Sequence, residues 1–289
     1  KQIRDNHFMK LHFTKMHGIG NDFIVLDHTK SPFQLSKDTI QSLSHRQLGI
    51  GFDQLLVVEH TALENVDFKY RIFNQDGGEV EQCGNGARCF YRFVKDKHLT
   101  DKKSIRVETK SGVIELTEDA EHLIEVNMGE PIFNPKLIPF ISDVEKNEYP
   151  ISIDLPHQKE TINMAVLSMG NPHAVLTVKD TQQAHVEILG AYLESHDLFP
   201  KRVNVGFMEI VSSHHIRLRV FERGVGETLA CGTGACAAVV SGIKRHLLTS
   251  PVKVDMLGGS LSIDWKGSSY PVMMKGPAVT LYEGDIEIT

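Results

Sequence analysis

No stretch of this 289-residue chain approaches the roughly 20 consecutive apolar residues needed to cross a bilayer, so the sequence offers no membrane-spanning helix. Basic charge is also short. Lysine and arginine number 31 against 37 acidic residues, a formal net charge of −6, and there is no basic stripe with interleaved aromatics. That balance argues against nucleic acid as a partner and for a small-molecule substrate. Lys1 to Phe8 are polar and lack the apolar centre of an export signal; Met9 reads as the native start and residues 1–8 as a remnant of cloning. Without export, the chain is expected in the cytoplasm. In that reducing compartment its four cysteines are free thiols, ligands or catalysts rather than disulfides. A single core stops growing at roughly 250–300 residues, so two domains are expected.

What the chain does have is an internal repeat. Gly78-Glu79-Val80-Glu81-Gln82-Cys83-Gly84-Asn85-Gly86-Ala87 returns 148 positions on, as Gly226-Glu227-Thr228-Leu229-Ala230-Cys231-Gly232-Thr233-Gly234-Ala235. Upstream, Arg71-Ile72-Phe73-Asn74 meets Arg219-Val220-Phe221-Glu222 at the same displacement. At 150, Gly20-Asn21 falls on Gly170-Asn171 and Gln54 on Asn204. The chain reads as a duplicated unit whose repeated polar positions are those chemistry would use. If the halves face each other across a pseudo-twofold axis, the two cysteines enter one cleft from opposite sides. That arrangement moves a proton from one face of a carbon to the other.

Alternation and β-branched runs predict strands at Leu11–Met16, Phe23–Leu26, Leu55–Glu59, Phe68–Phe73, Ile105–Glu108 and Val113–Leu116. The second half repeats the habit at Thr161–Leu167, Ala174–Val178, Val205–Val211, Ile216–Phe221, Val252–Asp255 and Ser260–Asp264. Helices are expected from Ser36 and Asp38 to about Gln47, over Gln182–Glu194, and just after the repeated cysteines at Ala87–Lys95 and Ala235–Arg245. Gly129 to Pro139 reads as the crossing between halves, and Val279–Ile288 as further strand returning to the first half.

A thiol moves protons only if it can become a thiolate, and its ordinary pKa near 8.5 leaves little thiolate at neutral pH. A helix N-terminus favours the anion through its unpaired N–H groups and the positive end of the dipole. The Gly-x-Gly after each cysteine lets the backbone close on a ligand, so Gly84, Asn85, Gly232 and Thr233 are candidate amides for a substrate carboxylate. An amino-acid α-proton is much less acidic than a thiol, and every unit of mismatch costs about 1.36 kcal/mol, to be offset by stabilising the carbanion. One cysteine takes the proton and the other returns one to the opposite face. No metal, pyridoxal or nicotinamide is required.

Plainer readings stand beside these. A lone free cysteine is most often a small buried hydrophobe, which is the expectation for Cys89 and Cys236. Zinc is disfavoured by spacing, and the partial dinucleotide fingerprint Gly232-x-Gly234-x-x-Ala237 has no βαβ context. Asn21, Gln54, Asn74, Asn171 and Asn204 stabilise turns or bind the ammonium and carboxylate of an amino acid. Glu222-Arg223 is a structural ion pair or a carboxylate-binding fork. His173 modulates a thiol or caps a strand, whereas His98, His157 and His196 read as surface.

The constellation resembles the diaminopimelate epimerase family. The motifs are His17-Gly18-Ile19-Gly20-Asn21-Asp22-Phe23, Phe52-Asp53-Gln54, Cys83-Gly84-Asn85-Gly86-Ala87-Arg88, Gly170-Asn171-Pro172-His173, Arg202-Val203-Asn204 and Glu222-Arg223-Gly224-Val225-Gly226-Glu227-Thr228. The resemblance implies a mixed α/β (α+β) fold of two pseudo-symmetric domains, each a sheet wrapped around a central helix. Their expected extents are 9–127, joined by the C-terminal strand 277–289, and 128–276, with the active site in the cleft between them. It implies a cofactor-independent isomerase interconverting L,L- and meso-2,6-diaminopimelate in lysine and peptidoglycan precursor synthesis. Cys83 and Cys231 would be acid and base. Asn21, Gln54, Asn74, Gly84, Asn85, Asn171, Asn204, Glu222, Arg223, Gly232 and Thr233 would bind substrate, and His173 and Glu222 would tune the thiols. A homodimer is implied, with Tyr282 at its contact. Gly78 and Gln82 depart from the serine and methionine usual in the family. The rivals are a proline or hydroxyproline racemase relative and a non-catalytic thiol protein.

Overall fold

The computed structural model describes residues 9–30, 33–80, 83–155 and 158–288; residues 1–8, Gln82 and His157 lie outside these. In chain order the first half runs β1 (Met9–Gly18), β2 (Asn21–Asp27), α1 (Lys37–Ser44), β3 (Gln54–Glu59), β4 (Phe68–Asn74), β5 (Glu79–Val80), α2 (Gly84–Asp96), β6 (Ser104–Thr109), β7 (Gly112–Glu118) and β8 (Ile124–Asn127). There follow β9 (Tyr149–Leu155), β10 (Gln158–Ser168), β11 (Pro172–Val178), α3 (Val186–Glu194), β12 (Asn204–Ser212), β13 (His215–Glu222), β14 (Gly226–Thr228), α4 (Gly232–Lys244), β15 (Val252–Met256), β16 (Gly259–Asp264), β17 (Met273–Gly276) and β18 (Val279–Ile288). Each strand expected from alternation falls within one of these. The chain divides into two compact units, one holding the described residues to Val126 and those from Pro277 onward, the other Asn127–Gly276.

Within each unit the strands pair with the same connectivity. In the first, β1 pairs antiparallel with β2 and β18, β2 runs parallel to β3, and β3 is antiparallel to β4. β4 is antiparallel to β5 and parallel to β6, and β6, β7 and β8 form a meander. In the second, β10 pairs with β11 and β9, β11 is parallel to β12, β12 antiparallel to β13, β13 antiparallel to β14 and parallel to β15, and β15, β16 and β17 form the meander. Thus α2 and α4 occupy the same place in each unit. Strands β1, β2, β3, β7 and β18 pack on α2, and β10, β11, β12, β13 and β16 on α4. Burial on every side explains their composition: α2 buries Ala87, Cys89, Phe90, Tyr91, Phe93 and Val94, and α4 buries everything from Gly234 to Gly242.

Both central helices start three residues earlier than the pattern predicts, at Gly84 and Gly232, with the cysteine as N-cap. Glycine is a poor helix former, so the expectation placed these residues in loops. Close packing decides otherwise. An added Cβ on Gly86 would lie 2.4 Å from Tyr70 Oη, and one on Gly234 3.1 Å from Val220 Cγ2. The helices also end alike. His98 and His246 hold left-handed φ values of 53° and 60°, and the next amides, Leu99 and Leu247, donate back to Val94 and Gly242. This is a Schellman ending with histidine in the glycine place. The surface role expected of His98 is therefore incomplete. Elsewhere α1 stops at Ser44 because the His45 ring accepts from the Gln47 and Leu48 amides, forming a turn.

Candidate active site

In each unit the parallel pair and its antiparallel neighbour bring the repeated polar residues to one sheet end. Asn21 starts β2, Gln54 starts β3, Asn74 ends β4, and the short β5 beside it leads into Cys83. In the second unit Asn171 precedes β11, Asn204 starts β12, Glu222 ends β13, and β14 leads into Cys231. Gly20 and Gly170 share a φ of 91°, a left-handed turn that glycine makes without a Cβ clash and that starts each asparagine on its course.

Each cysteine caps its helix with sulfur. Cys83 Sγ accepts from Gly86 N at 3.5 Å and Cys231 Sγ from Gly234 N at 3.3 Å. The first two amides of an α-helix have no partner within it, so Gly84 and Asn85, and Gly232 and Thr233, point N–H groups outward beside a sulfur. Cys83 is half-buried and Cys231 is buried. Around Cys231, burial and the Glu222 carboxylate push the thiol well up, while the Thr233 hydroxyl at 3.6 Å and the Gly234 amide pull it down. Cys89 and Cys236 are fully buried inside the helices, Cys89 pushed up to about 12 by burial. Among the described residues, no three His, Cys, Asp or Glu side chains converge as a metal would require.

The other candidates fall into distinct environments. Cys83 Sγ donates to Asn21 Oδ1 at 3.7 Å, and Asn85 Nδ2 reaches the same oxygen at 3.4 Å. Gln54 Nε2 donates to Asn74 Oδ1 at 2.8 Å, leaving Gln54 Oε1 buried without a partner among the described residues, an acceptor suited to an ammonium. Asn171 stands between Thr233 Oγ1 at 3.4 Å and His173 Nε2 at 3.0 Å. His173 is buried on β11, where burial and the Arg223 charge lower it to about 3, so it is neutral. Asn204 donates to Pro172 O and accepts from Arg223 N, both at 3.0 Å, so backbone groups engage both ends of this amide. Glu222 takes the Thr228 hydroxyl at 2.5 Å, whereas the Arg223 guanidinium donates to Lys201 O at 3.1 Å. Tyr282 is half-exposed on β18, edge-on to Phe13.

Not every repeated polar residue serves chemistry. Arg71 meets Glu79 through two contacts of 2.9 Å, and Arg219 meets Glu227 at 2.5 and 2.8 Å. These bidentate pairs clip β5 to β4 and β14 to β13, fixing the approach to each cysteine. Gly78 adds no left-handed turn; its N–H donates to Asp76 Oδ1 at 2.8 Å. Sequence reasoning missed the role of Asp53, whose Oδ2 holds Asn21 Nδ2 at 2.9 Å, and of Arg88, which is wholly buried against Asn85.

The family model described as diaminopimelate epimerase matches residues 13–134 and 165–281. A protein named diaminopimelate epimerase from Azoarcus sp. (strain BH72) is 55% identical over 280 residues, covering 97% of this chain and all of that protein. Its counterpart from Nitrosomonas europaea is 56% identical over the same length and coverage. A crystal structure of a hydroxyproline epimerase from Agrobacterium vitis, with bound trans-4-hydroxy-L-proline, superposes with a TM-score of 0.70 at 12% identity, covering 96% of this chain and 93% of that one. That likeness concerns the fold alone. Two copies of one capped-helix unit, matched along nearly their whole length by such relatives, place this chain in the diaminopimelate epimerase family.

Proposed function

We propose that the chain interconverts L,L- and meso-2,6-diaminopimelate through a pair of thiols, without a cofactor. The observation that carries the reading is the duplicated helix start, a cysteine N-cap followed by outward-pointing amides. One sulfur, as thiolate, takes the α-proton and becomes a thiol. The electron pair left on carbon spreads into the carboxylate, where amides of Gly84, Asn85, Gly232 and Thr233 meet the growing charge. The other cysteine, as thiol, gives its proton to the opposite face and becomes the thiolate. The reverse reaction exchanges the two roles. Asn21, Gln54, Asn74, Asn171, Asn204, Glu222 and Arg223 complete the substrate contacts in this reading, and Glu222 with neutral His173 sets the state of Cys231. Free thiols are required, so the reading places the working protein in a reducing cytoplasm.

Incubating reduced protein with L,L-diaminopimelate in deuterated water is expected to give the meso isomer with deuterium at the α-carbon. Proline, lacking the second amino-acid head, is expected to remain unlabelled. Labelling of proline and not of diaminopimelate overturns the reading.

We also propose a homodimer formed through β18. Val279, Leu281 and Tyr282 leave apolar side chains 40%, 51% and 50% exposed along this strand. Sedimentation is expected to give twice the chain mass, and Tyr282→Asp to halve it. A wild-type monomer at micromolar concentration would contradict this contact.

A further inference from the structure

Two charges, each with a single hydrogen-bonding role, bracket the pair of amides beside Cys83. Arg88, 0% exposed on α2, donates to Asn85 Oδ1 at 2.9 Å, to Gly84 O at 3.4 Å and to Pro277 O at 3.1 Å. A guanidinium has no acceptor, so Asn85 must turn its oxygen toward Arg88 and its amino group away. That amino group reaches Asn21 Oδ1 at 3.4 Å. At the far end, Asp53 Oδ2 accepts from Asn21 Nδ2 at 2.9 Å and Asp22 N at 3.1 Å, while its other oxygen pairs with Arg46 at 2.7 Å. A carboxylate only accepts, so the amino group of Asn21 must face it. The two constraints are independent and agree. The oxygen of Asn21 is left facing the Cys83 sulfur, at 3.7 Å.

Among the described residues, no such lock holds Asn171 in the second unit. Asn171 lies between a threonine hydroxyl and a histidine ring, and Thr233 Oγ1 is 3.6 Å from Cys231 Sγ. A hydroxyl and a neutral imidazole each donate and accept, so neither end group dictates which way the Asn171 amide faces, and the amide can turn over and keep both bonds. The asymmetry comes from the end groups, because an asparagine stands at the centre of both.

We propose that Asp53 and Arg88 are positioning residues that lock Asn21 as an acceptor toward Cys83, holding that cysteine in its thiol form in the free protein. A hydrogen bond accepted from S–H stabilises the neutral form, against the Gly86 amide and the helix start, which stabilise the anion. Among the described residues, the titratable and charged groups that face the sulfur include the buried Tyr70 hydroxyl of β4 and Cys89 and Arg88 of α2; Arg46 pairs with both Asp53 and Asp22, and Lys15 with Asp22. The role in catalysis rests on the two-thiol reading above. The lock itself is tested without substrate, so its failure and the failure of that reading are separate results.

The test is the pH dependence of iodoacetamide alkylation at Cys83, mapped by mass spectrometry. Asp53→Ala leaves Asn21 held only by the long 3.4 Å contact from Asn85, so its amino group can turn to sulfur, and the Cys83 titration is expected to fall by about one pH unit, about tenfold more thiolate at neutral pH. Asp53→Asn keeps an oxygen for Asn21 Nδ2 and is expected to titrate like wild type, which a simple loss of charge would not. Asn21→Ala is expected to give the same fall as Asp53→Ala, with no further change in the double variant. Equal shifts in Asp53→Ala and Asp53→Asn, additive shifts in the double variant, or no shift in Asn21→Ala overturn the proposal.

Discussion

Cys83→Ala and Cys231→Ala are each expected to lower turnover of L,L-diaminopimelate by about 10²- to 10⁴-fold, in both directions of reaction. In the proposed mechanism one thiol removes the proton and the other supplies its replacement, so deleting either interrupts inversion. The structure adds a second readout, because each sulfur is also a helix cap bonded to the third amide of its helix. Alanine removes that acceptor and is expected to cost about 1 kcal/mol of stability. Serine restores a capping oxygen and is expected to recover the thermal midpoint. It is not expected to recover turnover, since a hydroxyl is much less acidic than a thiol. Cap and proton carrier are thereby separated in one side chain. An alanine variant retaining turnover within tenfold of wild type would mean that another group carries the proton on that face.

The long alternating strands and the cysteine-centred helices were legible in the sequence because burial imposes a period on them. The starts of α2 and α4 were hidden for the opposite reason. Gly84, Gly86, Gly232 and Gly234 carry no helical signal, and what makes them helical is the strand packed beneath. Strands such as β5, with two residues, are too short to show a period and are held by the Arg71–Glu79 clip. The repeat drew attention to every duplicated polar residue alike. It did not tell Glu79 and Glu227, bound to their arginines, from Cys83 and Cys231. Asn204, held by two backbone groups, also looked the same in sequence as Gln54, whose oxygen is left over. Asp53 and Arg88 stood inside quoted motifs without a role, because their function lies in which end of an amide they face.

Gly86→Ala is expected to destabilise the protein by about 3 kcal/mol and to lower turnover by about 10²-fold, although alanine is the better helix former by about 1 kcal/mol. The new methyl group would lie 2.4 Å from Tyr70 Oη, against 3.3 Å from Leu56 Cδ2 and 3.4 Å from Ile72 Cδ1. One oxygen is therefore the obstacle, and to clear it the first turn of α2 must shift, carrying the Cys83 cap with it. That oxygen has no hydrogen-bond partner among the described residues and is completely enclosed, so its removal loses little. Tyr70→Phe alone is expected to be neutral or to stabilise by about 1 kcal/mol. In that background Gly86→Ala is expected to cost less than about 1 kcal/mol and to recover most of the turnover, a coupling of about 2 kcal/mol or more between the two sites. The second unit supplies the contrast. Leu218 stands where Tyr70 does, 148 positions on, and the Gly234 methyl would meet Cys231 Sγ and Val220 Cγ2 at 3.1 Å, so Gly234→Ala is expected to be milder. Thermal denaturation and turnover across the four-variant cycle check the argument. If Gly86→Ala is as damaging with phenylalanine at position 70 as with tyrosine, the glycine is there to leave room at the helix start for the ligand rather than for the hydroxyl beneath it.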